Sequence, residues 1–182
     1  MNQDDLERHR NAWTHRGTQR PDFAQTPGPG QESVWDYPRP PAIVPDTREV
    51  IVSLGGTRIA RTTSALRVLE TASPPTFYIP RAHVEAAFLT KATGNSFCEW
   101  KGSATYWDAR CDNAHQRHIA WSYEAPFPAF SRLAGYLAFY PARATCLVDG
   151  ETVRPQAGGF YGGWITGDIV GPFKGQSGTG GW

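Results

Sequence analysis

Residues 97–107 read FCEWKGSATYW and place two short extended runs on either side of Gly102. Glycine has no Cβ, so the chain can turn or bulge at this residue at little steric cost. Successive side chains of a strand face opposite ways, and Ser103, Thr105 and Trp107 would therefore share one face of the second run. The stretch predicts a pair of adjacent strands at the centre of a mainly β fold.

On either side of this pair, short apolar runs separated by turn residues predict further strands. Residues 50–52 and 58–60 flank Gly55-Gly56 and have the spacing of a hairpin. The remaining strands are predicted at residues 66–69, 77–79, 118–123, 136–140 and 145–148. Pro80 is well placed to begin one core helix, over residues 82–89. The pattern therefore predicts a single domain of bent antiparallel sheets with one short helix.

The two ends of the chain differ from this central part in composition. Residues 1–31 are polar and interrupted by proline and glycine, which predicts a flexible N-terminal arm ahead of a domain over residues 32–182. The prolines of residues 32–41 favour an extended strap across that domain, whose core we place at about residues 50–151. Residues 157–182 are rich in glycine but carry large apolar side chains, so we expect them to wrap the domain.

Composition argues against several classes of protein. The 18 Lys and Arg residues nearly balance 17 Asp and Glu residues without a block of like charge, so no nucleic-acid partner is expected. No apolar run approaches the ~20 residues of a membrane span. The polar N-terminus lacks the apolar segment of a secretory signal, and the 3 cysteines lack C-x-x-C spacing. These features favour a cytoplasmic protein with reduced thiols, no membrane partner and no cofactor.

Cys98 and Lys101 are the most suggestive pair for chemistry. A nearby ammonium group favours thiolate over thiol, and the thiolate is the nucleophilic form of cysteine. We therefore take Cys98 as the candidate nucleophile and Lys101 as its candidate partner. The alternative is that Cys98 is a small core residue and Lys101 a solvated turn residue, because free cysteine is often buried.

Four aromatic residues on neighbouring predicted strands form candidate walls of a ligand-binding cleft. They are Trp107, Trp121, Tyr123 and Tyr140. Large flat side chains with a polar tip are the usual lining of small-molecule pockets. The alternative is an ordinary aromatic core in a small β domain.

Two more residues are candidates for orienting the polar groups of a ligand, namely Tyr78 and Arg67. A guanidinium group can hold a carboxylate or a phosphate. Arg67 and Glu70 would lie on opposite faces of a regular strand, so at least one of them is expected to pair elsewhere.

A metal site is the weakest of the hypotheses. Cys111, His115 and His118 have ligand-like spacing, but a closed structural zinc site needs four ligands. A solvated loop is the simpler interpretation, and no metal is predicted.

Several blocks of sequence stand in order along the chain and read ALRVLET (residues 65–71), PPTFYIPR (74–81), CEWKG (98–102) and AWSY (120–123). Taken together and in this order, they resemble the DUF427 family. The resemblance implies a small, mainly β domain with a topology similar to the Mss4-like or β-tent group, in which bent sheets close over a cleft. The family is sometimes labelled nucleotidyltransferase-like, but the resemblance brings no established activity and no catalytic residues.

These observations lead to one functional hypothesis and one alternative. The first is a domain that binds a small molecule, or a small enzyme, with an aromatic-lined cleft around Cys98 and Lys101. The second is a protein-interaction or structural module without catalytic activity, in which the strap and the glycine-rich end dock a partner or a second copy, as in a homodimer.

Overall fold

The computed structural model describes residues 2–112 and 114–182 and is mainly β. Its strands are β1 (Glu32–Ser33), β2 (Ala42–Asp46), β3 (Val50–Leu54), β4 (Thr57–Thr62), β5 (Ala65–Glu70), β6 (Ser73–Pro80), β7 (Leu89–Cys98), β8 (Gly102–Cys111), β9 (Ala114–Ser122), β10 (Tyr136–Phe139), β11 (Thr145–Val148), β12 (Glu151–Thr152), β13 (Arg154–Pro155), β14 (Trp164–Ile165) and β15 (Ile169–Val170). Its helical elements are α1 (Gln3–Asn11) and short 3-10 turns at Val34–Asp36, Arg81–His83, Ala86–Phe88 and Pro128–Leu133.

Two antiparallel sheets hold most of these strands. The larger sheet has 7 strands in the order β2-β5-β6-β10-β9-β8-β7, and the smaller has 4 in the order β12-β11-β3-β4. The hairpin predicted around Gly55-Gly56 joins β3 to β4, and the pair predicted around Gly102 is β7 with β8. This pair lies at one edge of the larger sheet rather than at its centre, with β7 outermost. The predicted class, a mainly β domain of antiparallel sheets, is confirmed.

The two faces of the larger sheet pack against different groups of residues. On β6, Phe77 and Ile79 enter the main core together with Val52 and Ile59 of the smaller sheet. Tyr78, between them in the sequence, points to the opposite face because side chains alternate along a strand. One face of the larger sheet is therefore covered by the smaller sheet, and the other is available for a second cluster of aromatic residues.

The core helix predicted over residues 82–89 is wrong. The structure has two 3-10 turns there, and between them Val84 forms an antiparallel bridge with Ala60. The N–H of Glu85 donates to the carbonyl oxygen of Ile59 at 2.9 Å, so the backbone bonds to β4 instead of closing helical turns. Val84 is β-branched and buried, and both properties favour the extended conformation over the helix.

Both ends of the chain lie against the sheets. β1 pairs in parallel with β15, and the fully buried Trp35 donates its indole N–H to the carbonyl oxygen of Pro172 at 3.0 Å. The helix α1 lies within the predicted flexible arm and buries none of its residues. The flexibility of that arm stays a prediction. Within the described ranges, no helix has the length and apolar character needed to cross a membrane.

Replacement of Trp164 by alanine tests whether the glycine-rich end is part of the cooperative fold. Trp164 is fully buried, stacks on Phe77 with ring centroids 4.9 Å apart and donates to the Phe139 carbonyl oxygen at 3.0 Å. We expect Trp164→Ala to lower the free energy of unfolding in urea by about 3–5 kcal/mol. The control Phe160→Ala removes a side chain that is 62% exposed and should change it by about 0.5 kcal/mol or less. Equal, small effects of the two variants would contradict this role.

Candidate functional site

A cavity of about 260 Å³ lies on the face of the larger sheet that points away from the smaller one. Aromatic side chains form a large part of its walls and include Tyr78, Tyr106, Trp121, Tyr123, Tyr140 and Tyr161. The ring of Trp121 is central to them, with its centroid 4.4 Å from that of Tyr140 and 6.2 Å from that of Tyr78. Flat walls with polar tips are typical of a pocket for a small organic molecule.

The turn after β7 brings Cys98 and Lys101 to the same cavity. Strict alternation would place these two residues on opposite faces of a strand. However, β7 ends at Cys98, which pairs with Gly102 at the start of β8, and residues 99–101 form a turn between them. Gly102 has a φ of 95°, which favours glycine, and the Phe127 N–H donates to the Lys101 carbonyl oxygen at 3.2 Å. The turn at residues 99–101 therefore brings the Cys98 thiol and the Lys101 ammonium group to the same cavity.

Lys101 remains charged although it is only 8% exposed. Burial alone would lower its pKa, but the neighbouring Cys98, Glu70 and Tyr78 raise that pKa above the ordinary value for lysine. Glu70 Oε2 lies 4.0 Å from Lys101 Nζ, and Glu70 Oε1 lies 3.3 Å from Arg39 Nε. Opposite charge thus outweighs desolvation, and the cavity keeps a buried cation at neutral pH.

Three tyrosine hydroxyl groups of the cavity, those of Tyr78, Tyr123 and Tyr140, stay protonated at neutral pH. Burial raises the pKa of Tyr78 to about 12, against a smaller opposing effect of Lys101. Burial also raises the pKa values of Tyr123 and Tyr140 above their ordinary range. A protonated phenol can donate one hydrogen bond and accept another, so these groups can orient a polar ligand.

Most of the predicted site residues meet at this cavity. Those that line it are Cys98, Lys101, Tyr78, Trp121, Tyr123 and Tyr140. Arg67 does not, because it lies on the other face of β5 and pairs with Glu32 and Asp46, each at 3.1 Å. The expectation that Arg67 or Glu70 pairs elsewhere is confirmed for Arg67.

Trp107 also lies outside the cavity. Its indole N–H donates to the Ser122 hydroxyl oxygen at 2.8 Å, and the guanidinium group of Arg81 lies 4.6 Å from its ring centroid. Its neighbour Tyr106 lines the cavity instead and pairs with Trp121 in the β8–β9 register. The sequence does indicate Tyr106 as the wall residue, because side chains alternate along a strand and Tyr106 lies on the same face of the sheet as Trp121.

Glu70 and both chain ends supply residues that the sequence analysis missed. Glu70 follows Val68 on the cavity face of β5, as alternation requires. Trp13 lines the cavity and donates its indole N–H to Glu99 Oε1 at 2.8 Å. Lys174, from the other end of the chain, places Nζ 3.3 Å from the ring centroid of Trp13. No local pattern predicts these long-range contacts.

The residues considered for a metal site do not form one. Cys111 is buried and its thiol donates to the carbonyl oxygen of Leu54 at 3.3 Å, while the His118 ring stacks on Tyr106. In residues 2–112 and 114–182, no group of three metal-ligating side chains is found.

Comparison with known proteins places the chain in a family. A family model described as a domain of unknown function, DUF427, matches residues 42–153. The chain belongs to the DUF427 family. No curated protein matches it. The DUF427 match begins at β2 and includes Cys98 and Lys101, whereas Trp13 and Lys174 lie outside it. Some of the residues that line the cavity therefore lie outside the segment that the family model matches.

Thiol labelling at neutral pH tests the accessibility of the cavity. Cys98 is half-buried and lines the cavity, whereas Cys111 and Cys146 are buried in the main core. We expect one thiol of the native protein to react with an aromatic disulfide reagent, and Cys98→Ser to abolish that reaction. Cys111 and Cys146 should react only after unfolding, because burial blocks access and raises the pKa of Cys146. Labelling of Cys111 in the native state would contradict the structure.

The pH dependence of stability tests the environment of Lys174. Burial, together with Arg39, lowers the pKa of Lys174 from 10.5 to about 8. Between these two values the unfolded chain binds the proton more tightly than the folded chain, so stability rises with pH in this window. We expect the free energy of unfolding of the wild type, relative to Lys174→Met, to rise from pH 8 to pH 10.5. The pH dependence of stability of the exposed control Lys91→Met should match that of the wild type. A difference in stability between the wild type and Lys174→Met that does not change with pH would refute the lowered pKa.

Proposed function

We propose that the protein binds a small, flat organic molecule in this cavity, with Cys98 and Lys101 at the polar end of the ligand. The observation that supports the proposal is the meeting of a thiol, a buried ammonium group and several aromatic faces around one hollow. These groups come from separate strands and from both ends of the chain. A core that served only stability would be filled rather than hollow, because protein interiors are close-packed.

The size and lining of the cavity support a small ligand. Its volume of about 260 Å³ lies just below the range of about 300–1,000 Å³ that is usual for ligand pockets. Trp121 and Tyr140 offer ring faces, and the protonated hydroxyl groups of Tyr78 and Tyr123 offer hydrogen bonds. A ring of one or two fused cycles with a polar substituent fits this combination of surfaces.

Cys98 keeps the role of nucleophile within this proposal. The residue is reachable from the cavity, and the ammonium group of Lys101 stands beside it. Lys101 would orient the polar end of the ligand beside this thiol.

The distribution of exposed apolar residues favours ligand binding over the interaction-module alternative. The large hydrophobic side chains that are exposed in the described ranges are Phe23, Phe97 and Phe160. Phe160 and Phe97 line the cavity, and Phe97 also borders a neighbouring groove with Phe127 and Pro128. A docking face of the usual size needs a contiguous apolar patch of several hundred Å².

Gly162 provides a sharp test of the proposal. A Cβ added at Gly162 would lie 2.1 Å from the ring of Trp121, so Gly162→Ala must displace that wall of the cavity. The control Gly181→Ala has no atom within 4 Å of the added Cβ and tests the same chemical change without the clash. Native mass spectrometry of the purified proteins should show a retained small molecule on the wild type and on Gly181→Ala.

We expect Gly162→Ala to lose that added mass while its circular dichroism spectrum stays native. A wild-type spectrum with only the bare chain, together with no response of tryptophan fluorescence to small aromatic compounds, would refute the proposal. A stable dimer without a retained small molecule would favour the interaction module instead.

A further inference from the structure

Lys101 carries an unmet demand for a hydrogen-bond acceptor. Its ammonium group has three donors, and Lys101 is only 8% exposed. Cys98 supplies one hydrogen-bond partner for Nζ, and the ion pair with Glu70 Oε2 is long, at 4.0 Å, so at least one donor is left for a ligand. The ammonium group lines the cavity, so the space in front of it is where an acceptor from a ligand would lie.

The charged side chains at the cavity, taken together with Arg39 behind it, form a cluster of three cations and two carboxylates. Lys101 and Lys174 line it, and Arg39 lies behind Glu70 at 3.3 Å. Two carboxylates, Glu70 and Glu99, face these three cations. Glu70 is shared between Arg39 and Lys101, and Glu99 accepts from the indole of Trp13. Buried charges are usually paired, so the site favours a ligand with a single negative charge.

We propose that the ligand is a monoanionic aromatic carboxylate whose carboxylate accepts hydrogen bonds from Lys101 and whose ring lies among Trp121, Tyr123 and Tyr140. This inference rests on the proposed function and adds the chemical class of the ligand. The carboxylate supplies the missing acceptor and balances the excess charge, and the ring matches the aromatic walls.

Two alternatives fit the structure less well. A phosphate ester carries a charge of about −1.5 to −2 at pH 7, more than the single excess positive charge of the cluster that includes Arg39. Lys174 is a poorer anchor than Lys101, because its Nζ already donates to the Trp182 carbonyl oxygen at 3.2 Å and covers the ring of Trp13. The protonated hydroxyl of Tyr78 lies near Lys101 and can donate a second hydrogen bond to the same carboxylate.

Benzoate and benzamide form a matched pair of probes for this inference. They have nearly the same shape, and only benzoate carries a charge. We expect benzoate to bind the wild-type protein roughly tenfold more tightly or better, as befits a hydrogen bond to a charged group. Titration followed by ligand-observed NMR and by tryptophan fluorescence measures both affinities.

Three lysine variants test whether Lys101 causes the preference for benzoate over benzamide. Lys101→Met should bring the affinity for benzoate down to that for benzamide, whereas Lys101→Arg should retain most of the difference. Lys91→Met removes an exposed lysine outside the cavity and should behave as the wild type. If Lys101→Met fails to fold, the wild-type preference and the Lys101→Arg variant still decide the question.

The outcomes separate this inference from the proposal on which it rests. Equal affinities of the wild type for benzoate and benzamide would overturn the anionic ligand and leave a small-molecule site intact. A preference for benzoate that persists in Lys101→Met would overturn the assignment of Lys101. No binding of either probe, with no small molecule retained in native mass spectrometry, would overturn both.

Discussion

Burying the ammonium group of Lys101 is the constraint on which the rest of the site depends. An isolated charge in an apolar interior is costly by several kcal/mol, and a protein keeps one only where other groups compensate it. Here Glu70, Cys98 and Tyr78 surround Lys101 and raise its pKa rather than letting it lose its proton. The ion pair is nevertheless long, because the Glu70 carboxylate lies 4.0 Å from Lys101 Nζ. An ammonium group that stays charged and still has a hydrogen-bond donor to spare can bind an acceptor group of a ligand.

The chain ends complete this arrangement from a distance. Arg39, from the segment before β2, shares Glu70 with Lys101 and is itself 4% exposed. Its guanidinium group also donates to the carbonyl oxygens of His15 and Thr71, at 2.9 and 2.8 Å. The same network therefore contributes to the charge around the cavity and contacts the N-terminal segment at His15. Electrostatics and chain topology are coupled at this point of the molecule.

Patterns of short range predicted much of the fold and part of the site. The hairpin at Gly55-Gly56, the turn before Gly102 and most of the aromatic walls follow from period-two alternation and turn chemistry. Alternation applied consistently would also have preferred Tyr106 to Trp107.

What the sequence could not give depends on contacts between distant residues. Pro80 is well placed to begin a helix over residues 82–89, but the bridge from Val84 to Ala60 holds the chain extended, and no local pattern in the sequence predicts that bridge. The approach of Lys174 to Trp13 joins the two ends of the chain and has no local signal at all. Tertiary contacts override propensity where they bury apolar surface or satisfy the backbone.

The contact between Trp35 and Pro172 also bears on how the molecule is assembled during synthesis. These residues are 137 positions apart, and closing so long a loop carries a large entropic cost. The strands from β2 to β10 have partners that are closer in sequence and can pair earlier, whereas β11 must return to β3. On a ribosome, the nascent chain would therefore carry an open aromatic trough until Tyr161 and Lys174 have been made.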